Sequence, residues 1–245
     1  MRTKQQIDSI KLNFSDPYLV DNFVTADEIE HLINLFENDT DSIDPAEAKV
    51  YKNTGPITLN IRKFIGDPVI DNILEKIRSE IGDFDITAGF FFFTNYPHII
   101  HNDDLFELPP TMYKGITIPL RLDSDLPINE IPDLCFFDQC YFHGPSKFFN
   151  GDSDIPTFYN KQVYEYGQVD NLVDDVVFDT NIYRKYFTHL KKKWLEGLSF
   201  KSALPWKIGS CLIFDSVRLH CASDFRKLGI KSKLGISIFT KKSQS

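Results

Sequence analysis

The chain of 245 residues carries 35 acidic against 27 basic side chains, a formal net charge of −8, which argues against a general nucleic-acid partner, because phosphate-backbone binding needs a basic face. Apolar residues make up 42% and aromatics 14%, enough to bury the core of a single domain and to argue against wholesale disorder. No run approaches the roughly 18 apolar residues of a membrane span, and the opening MRTKQQIDSIKLNF lacks the continuous apolar segment of a secretory signal.

In chain order, TADEIEHLINLFEN (25–38) reads as a helix, with Thr25 and Glu28 forming a capping-box pattern and Ile29, Leu32, Ile33 and Phe36 at helical spacing. VIDNILEKIRSEI (69–81) reads as another, with Ile70, Ile73, Leu74 and Ile77 as its buried stripe and Gly82 as its stop. The texture then changes. GFFFFT (89–94), GITIPLRL (115–122), LCFFDQCYF (134–142), SCLIFDS (210–216) and KLGISIF (233–239) are short, β-branched or aromatic, and bounded by turn residues. Several are apolar on both faces, which predicts a two-layer β-structure with helices packed outside. Antiparallel pairing is expected because no helix separates most of the strands. Residues 143–207 form an insertion rich in Gly, Asp, Asn and Tyr, with a helix expected over 180–196. Cys135, Cys140, Cys211 and Cys221 show no C-x-x-C pair and are read as reduced thiols of a cytoplasmic protein.

The chemistry concentrates in PHIIHNDD (97–104). On an extended segment residues i and i+2 point the same way, so His101 and Asp103 can offer an imidazole nitrogen and a carboxylate oxygen to one ion. The candidate third ligand is His220 in IFDSVRLHCASDF. Two histidines and one carboxylate on one face of a metal leave the opposite positions open, the ligand set of a non-haem Fe(II) oxygenase. H-x-D alone is a weak signal, since such tripeptides arise by chance. It gains weight here from a distal His after a late strand and a cation opening the next one. That cation is Lys233, which shares a strand face with Gly235 and Ser237; Lys231 has the same parity, and KSK also fits a solvated hairpin end.

Neighbouring residues divide by the same rule. His98, Asn102 and Asp104 alternate away from the metal. Asp104 fits either an acceptor for a ligand histidine's other nitrogen or a solvated loop carboxylate. Arg218 has the parity of His220 and could meet a carboxylate of substrate or co-substrate, or form a surface ion pair. His143 and His189 are expected on the surface of the insertion, and Cys221 in the core.

These residues resemble an iron(II)/2-oxoglutarate-dependent oxygenase of the phytanoyl-CoA or prolyl hydroxylase-like kind. The matching text is PHIIHNDD, YKGITIPL, FFDQCYFHGPSKFF, WKIGSCLIFDSVRLHCASDF and KSKLGISIFT. The resemblance implies a mainly β fold with flanking helices and a double-stranded β-helix (jelly-roll, cupin-like) core. It implies one domain over 1–245, with helical support in 1–85 and the core in 86–240. It places Fe(II) on His101, Asp103 and His220, and the distal carboxylate of 2-oxoglutarate on Lys233 or Lys231, helped by Ser237. Many members carry Arg at the cation position, and the spacing from His220 is slightly long, so both lysines stay open. With O2, the implied reaction hydroxylates a C–H bond of a small molecule or protein side chain, releasing succinate and CO2. The insertion would be a substrate-facing lid, and RKYFTHLKKKW (184–194) in it reads as an amphipathic surface helix rather than a nucleic-acid contact. Two other readings remain: a cupin-like metal enzyme without 2-oxoglutarate, and a jelly-roll binding module without turnover.

Overall fold

The computed structural model describes residues 2–40, 57–104, 112–144, 170 and 177–243. Helix α1 (Lys4–Lys11) starts at a capping box in which Thr3 accepts from the Gln6 N–H and the Gln6 side chain accepts from the Thr3 N–H. Strand β1 (Tyr18–Val20) follows, then α2 (Ala26–Thr40), whose expected box of Thr25 and Glu28 closes at 2.8 and 3.2 Å. After β2 (Ile57–Asn60), Asp67 caps α3 (Pro68–Ile81), and Gly82 ends it at φ 80°. The long strands β3 (Phe84–Thr94) and β4 (Met112–Ser124) precede β5 (Asp133–Cys140), the short helix α4 (Thr180–Tyr186) and β6 (Phe200–Pro205). The chain closes with β7 (Cys211–Asp215), β8 (Arg218–Ala222) and β9 (Ile230–Lys242).

Two wholly antiparallel sheets result. The larger has the order β1-β7-β4-β9-β3-β2 and the smaller β6-β5-β8. Alternation sorts the side chains between the layers. Ile116, Ile118, Leu120, Ile213, Leu234, Ile236 and Ile238 turn outward onto Leu32, Phe36, Ile70, Ile73 and Ile77 of α2 and α3. On the far side of the smaller sheet, Cys135, Phe137, Leu219 and Cys221 pack on Phe187, Leu190, Trp194 and Leu195. Between the sheets Leu134 and Phe136 meet Leu212 and Phe214. This is a double-stranded β-helix with helices outside, as the sequence predicts.

The differences are local. The first 85 residues are not helical support alone, because β1 and β2 extend both edges of the larger sheet. The helix expected over 180–196 stops at Tyr186. There the Asp224 N–H donates to the Tyr186 carbonyl at 2.8 Å and the Thr188 hydroxyl donates to Asp224 at 2.6 Å, so the chain turns before a short 3-10 helix at Lys192–Leu195. Residues 145–169 and 171–176, nearly half of the insertion expected to act as a lid, lie outside the described residues. All four cysteines are buried free thiols. No described helix is long and apolar enough to cross a membrane.

Candidate metal centre

Strand β8 follows β7 after only Ser216 and Val217, and pairs with β5 so that His220 sits opposite Phe136. The segment after β3 lies along the free side of β8. His101 and His220 exchange both backbone hydrogen bonds at 2.9 Å, and the Asp103 N–H donates to the Ser216 carbonyl at 2.7 Å. Three backbone bonds thus bring an early H-x-D and a late histidine to one point between the sheets.

Their ligating atoms lie within 4.8 Å of one another. His101 Nε2 is 3.8 Å from Asp103 Oδ1, and His220 Nε2 is 3.5 Å from Asp103 Oδ2. Each Nδ1 faces a carbonyl two residues back, Ile99 at 2.7 Å and Arg218 at 2.9 Å. A carbonyl only accepts, so Nδ1 must carry the proton and each Nε2 is left with its lone pair towards the carboxylate. Burial, and then the neighbouring His101, holds His220 well below the usual imidazole range, so it stays neutral. Burial pushes the Asp103 carboxyl up to about 8. A dication reverses that penalty, and neutral imidazoles beside a carboxylate are the donor set it needs.

Packing sets the precision. The His220 ring lies 4.7 Å from Phe214, 5.9 Å from Phe136 and 4.3 Å from His101, centroid to centroid. Gly115 of β4 leaves the room: a Cβ there would meet Phe214 Cε2 at 2.6 Å and Asp103 Oδ2 at 3.2 Å.

Lys233 is buried on the inner face of β9, opposite the apolar face of Leu234 and Ile236. Its Nζ lies 3.9 Å from the Trp206 ring centroid and 4.9 Å from that of Phe225. No carboxylate of the described residues forms an ion pair with it, and burial pulls it down to about 7. The indole N–H of Trp206 is buried without an acceptor among the described residues. Gly235 admits that indole, since a Cβ would stand 2.9 Å from Trp206 Cζ2. Lys231, by contrast, is exposed and paired with Asp125 on the surface. A register shift near Ser124 and Ile230 breaks the parity that made it a candidate. Ser237 is half-buried on β9, roughly 13 Å along the strand from Lys233 at about 3.3 Å per residue. Arg218 is buried, but donates to the Phe137 carbonyl at 3.1 Å and lies 3.5 Å from Asp215, which also holds Lys114 at 2.6 Å. It is not at the surface; these contacts engage Nη1 and Nη2, and Nε is buried without a partner among the described residues.

Three expectations about flanking residues change. His189 is not a surface residue: both ring nitrogens are buried, and burial pulls it down to about 4. His143 is half-buried, accepting from the Arg2 N–H at Nδ1 at 3.2 Å. Asp104 is neither solvated nor a partner of a ligand histidine. It is fully buried in an ion pair with the Arg2 guanidinium. Nothing in the local sequence pattern links residues 2 and 104, and only a charged residue before the Thr3 cap hints at anchoring.

No family model matches this chain, and no curated protein does. Among solved structures it is similar to EvdO2 from Micromonospora carbonacea var. aurantiaca, at 11% identity over 99% of this chain and 92% of that one, with a TM-score of 0.50. It also aligns with HygX from Streptomyces hygroscopicus, solved with nickel and 2-oxoglutarate bound, at 13% identity over 99% and 88% of the two chains, TM-score 0.47. A Pseudomonas putida prolyl-4-hydroxylase aligns at 10% identity over 98% of each, TM-score 0.45. At these identities what the likeness to EvdO2 carries is the fold, a double-stranded β-helix spanning nearly the whole chain.

Proposed function

We propose that this chain is a non-haem Fe(II)/2-oxoglutarate-dependent oxygenase that hydroxylates a C–H bond of a small molecule or a protein side chain. The observation that carries the reading is a pair of sites between the two sheets. His101, Asp103 and His220 present two lone-pair nitrogens and a carboxylate to one point, and Lys233 stands buried on the inner face of β9 with no ion pair to a carboxylate of the described residues. Two histidines and a carboxylate suit Fe(II) and leave coordination positions for exogenous ligands. A cupin-like metal enzyme without a dicarboxylate gives no reason to bury a lysine that has no ion pair among the described residues, and a pure binding module gives no reason to keep three convergent ligands.

Held by His101, Asp103 and His220, Fe(II) would supply the oxidative chemistry that couples conversion of 2-oxoglutarate and O2 into succinate and CO2 to hydroxylation of the C–H bond. The protein's share is orientation. Lys233 takes the distal carboxylate of 2-oxoglutarate, and the faces of Trp206 and Phe225 hold its ammonium against the low-dielectric wall. Phe136 and Phe214 fix the His220 ring and keep water from it. Asp103, which burial favours in its protonated form, would hold the cation as the carboxylate.

The test is anaerobic. Metal-free protein is mixed with Fe(II), then with 2-oxoglutarate, and the visible charge-transfer band of the chelated complex is followed, with Asp103→Ala as control. The expected result is a band in the wild type alone. Bound iron without a band rejects 2-oxoglutarate and points to the cupin-like reading; no iron binding points to the binding module.

A further inference from the structure

The ligand strand has a second face. Asn102 and Asp104 alternate with His101 and Asp103 and point into a separate buried network. Asn102 Nδ2 donates to the carbonyls of Tyr141 at 2.9 Å and Gly144 at 3.1 Å. The Gly144 N–H donates to Asp104 Oδ2 at 3.1 Å. The guanidinium of Arg2 grips both carboxylate oxygens of Asp104, Nη2 reaching Oδ1 at 2.9 Å and Nη1 reaching Oδ2, and Nη1 also donates to the Phe142 carbonyl at 2.8 Å. Arg2 is 4% exposed and Asp104 0%. Helix α1 carries Arg2 to this place, with Ile10 packed on Cys140, Phe142 and Val217.

The geometry points to Arg2 as a positioning residue for the metal ligand Asp103. This inference rests on the metal-centre reading above. Asp103 is flanked in the chain by two side chains locked to the Tyr141–Gly144 turn, so the backbone that carries its carboxylate cannot shift without breaking that lock. A two-pronged guanidinium holds a carboxylate in one plane, which a single ammonium does not. Removing Arg2 leaves Asp104 as a buried anion short of its cation, and relief comes by moving the 102–104 backbone. Partners that orient a metal ligand without touching the metal commonly set affinity by about 10–100-fold.

The experiment titrates full-length wild type, Arg2→Met and a destabilised control, Leu32→Ala, with Co(II). It records the affinity and the visible ligand-field spectrum at a temperature where each is folded. Leu32 belongs to the helical layer on the opposite side of the larger sheet, so its loss lowers stability without touching the ligand strand. The expected result is Co(II) binding weakened by about 10–100-fold in Arg2→Met, with an altered spectrum, and unchanged in Leu32→Ala. Wild-type affinity in Arg2→Met overturns the inference and leaves the metal centre standing. Equal weakening in both variants also overturns it, because the effect is then general loosening. A wild type that does not bind Co(II) rejects the metal centre itself, and the inference with it. If Arg2→Met does not fold, Arg2→Lys, which keeps the charge and loses the fork, is judged by the same criteria.

Discussion

Lys233 is the side chain on which stability and function pull apart. A buried ammonium that faces two aromatic rings and forms no ion pair with a carboxylate of the described residues is held at about 7 by desolvation. Lys233→Met is expected to stabilise the metal-free protein by about 0.5–2 kcal/mol, the range of single stabilising substitutions, and so to raise its midpoint of thermal unfolding, because a buried amine is replaced by an apolar side chain. The same variant is expected to lose binding of 2-oxoglutarate while keeping that of Co(II), checked by calorimetry with each ligand. Asp103 gives the opposite pH signature. Its folded-state carboxyl is raised to about 8, so between roughly pH 4 and 8 the folded protein holds the extra proton and this group's contribution to stability falls as pH rises. For Lys233, lowered to about 7, the unfolded chain holds the extra proton from there up to roughly pH 10, so its contribution grows with pH in that window. Denaturant titrations of the metal-free wild type minus Asp103→Asn are therefore expected to show a difference that declines towards pH 8. Affinity for Co(II) should rise over the same range, since the metal displaces that proton.

At the scale of elements, the site depends on close approach between strands. Gly115→Ala in β4 forces a methyl into the Phe214 ring, which also packs on His220. Overpacking of this kind costs about 1–3 kcal/mol, and here it is also expected to weaken metal binding, since Asp103 Oδ2 lies against the same space. Thr25→Ala, which opens the α2 capping box, is expected to cost about 1 kcal/mol and leave metal affinity unchanged. The comparison separates damage to the site from damage to the scaffold. How much of this is legible in the sequence follows from the range of the forces involved. Helices α2 and α3 announce themselves by periodicity and caps, and five strands by their apolar runs. Parity on a single strand suffices to pair His101 with Asp103 and to set Lys233 beside Gly235. The missed strands lack such local signals. β1 and β2 are three and four residues long and owe their conformation to β7 and β3. β8, RLHCA, follows β7 after Ser216 and Val217 alone and carries Arg218 and His220, so no apolar run of its own marks it. The early end of α4 is imposed by Asp224, and the burial of Asp104 by Arg2. Each is a tertiary contact that overrides or supplements local preference.

At the scale of the molecule, ligands that bind only the folded form should raise its unfolding temperature by mass action. Co(II) and 2-oxoglutarate together are expected to do so in the wild type and neither in Asp103→Ala, read by scanning calorimetry. The order of the larger sheet has a further consequence, for the way the protein comes into being. β9 follows every other strand in the chain yet lies in the interior of the sheet, bonded to β4 on one side and β3 on the other. Until it arrives, β3 and β4 have nothing between them, and their pairings with β9 join residues as distant as Phe84 and Lys242. Contacts so far apart in sequence make for slow folding, because the chain must close large loops before it gains from them. The two halves of the sheet therefore wait on the ribosome with unsatisfied edges, the condition in which strands aggregate. Lys233 travels on that strand, so the cation proposed to bind the dicarboxylate reaches its place in the same event that joins the two halves of the sheet. Chains arrested before β9 should be insoluble rather than merely inactive.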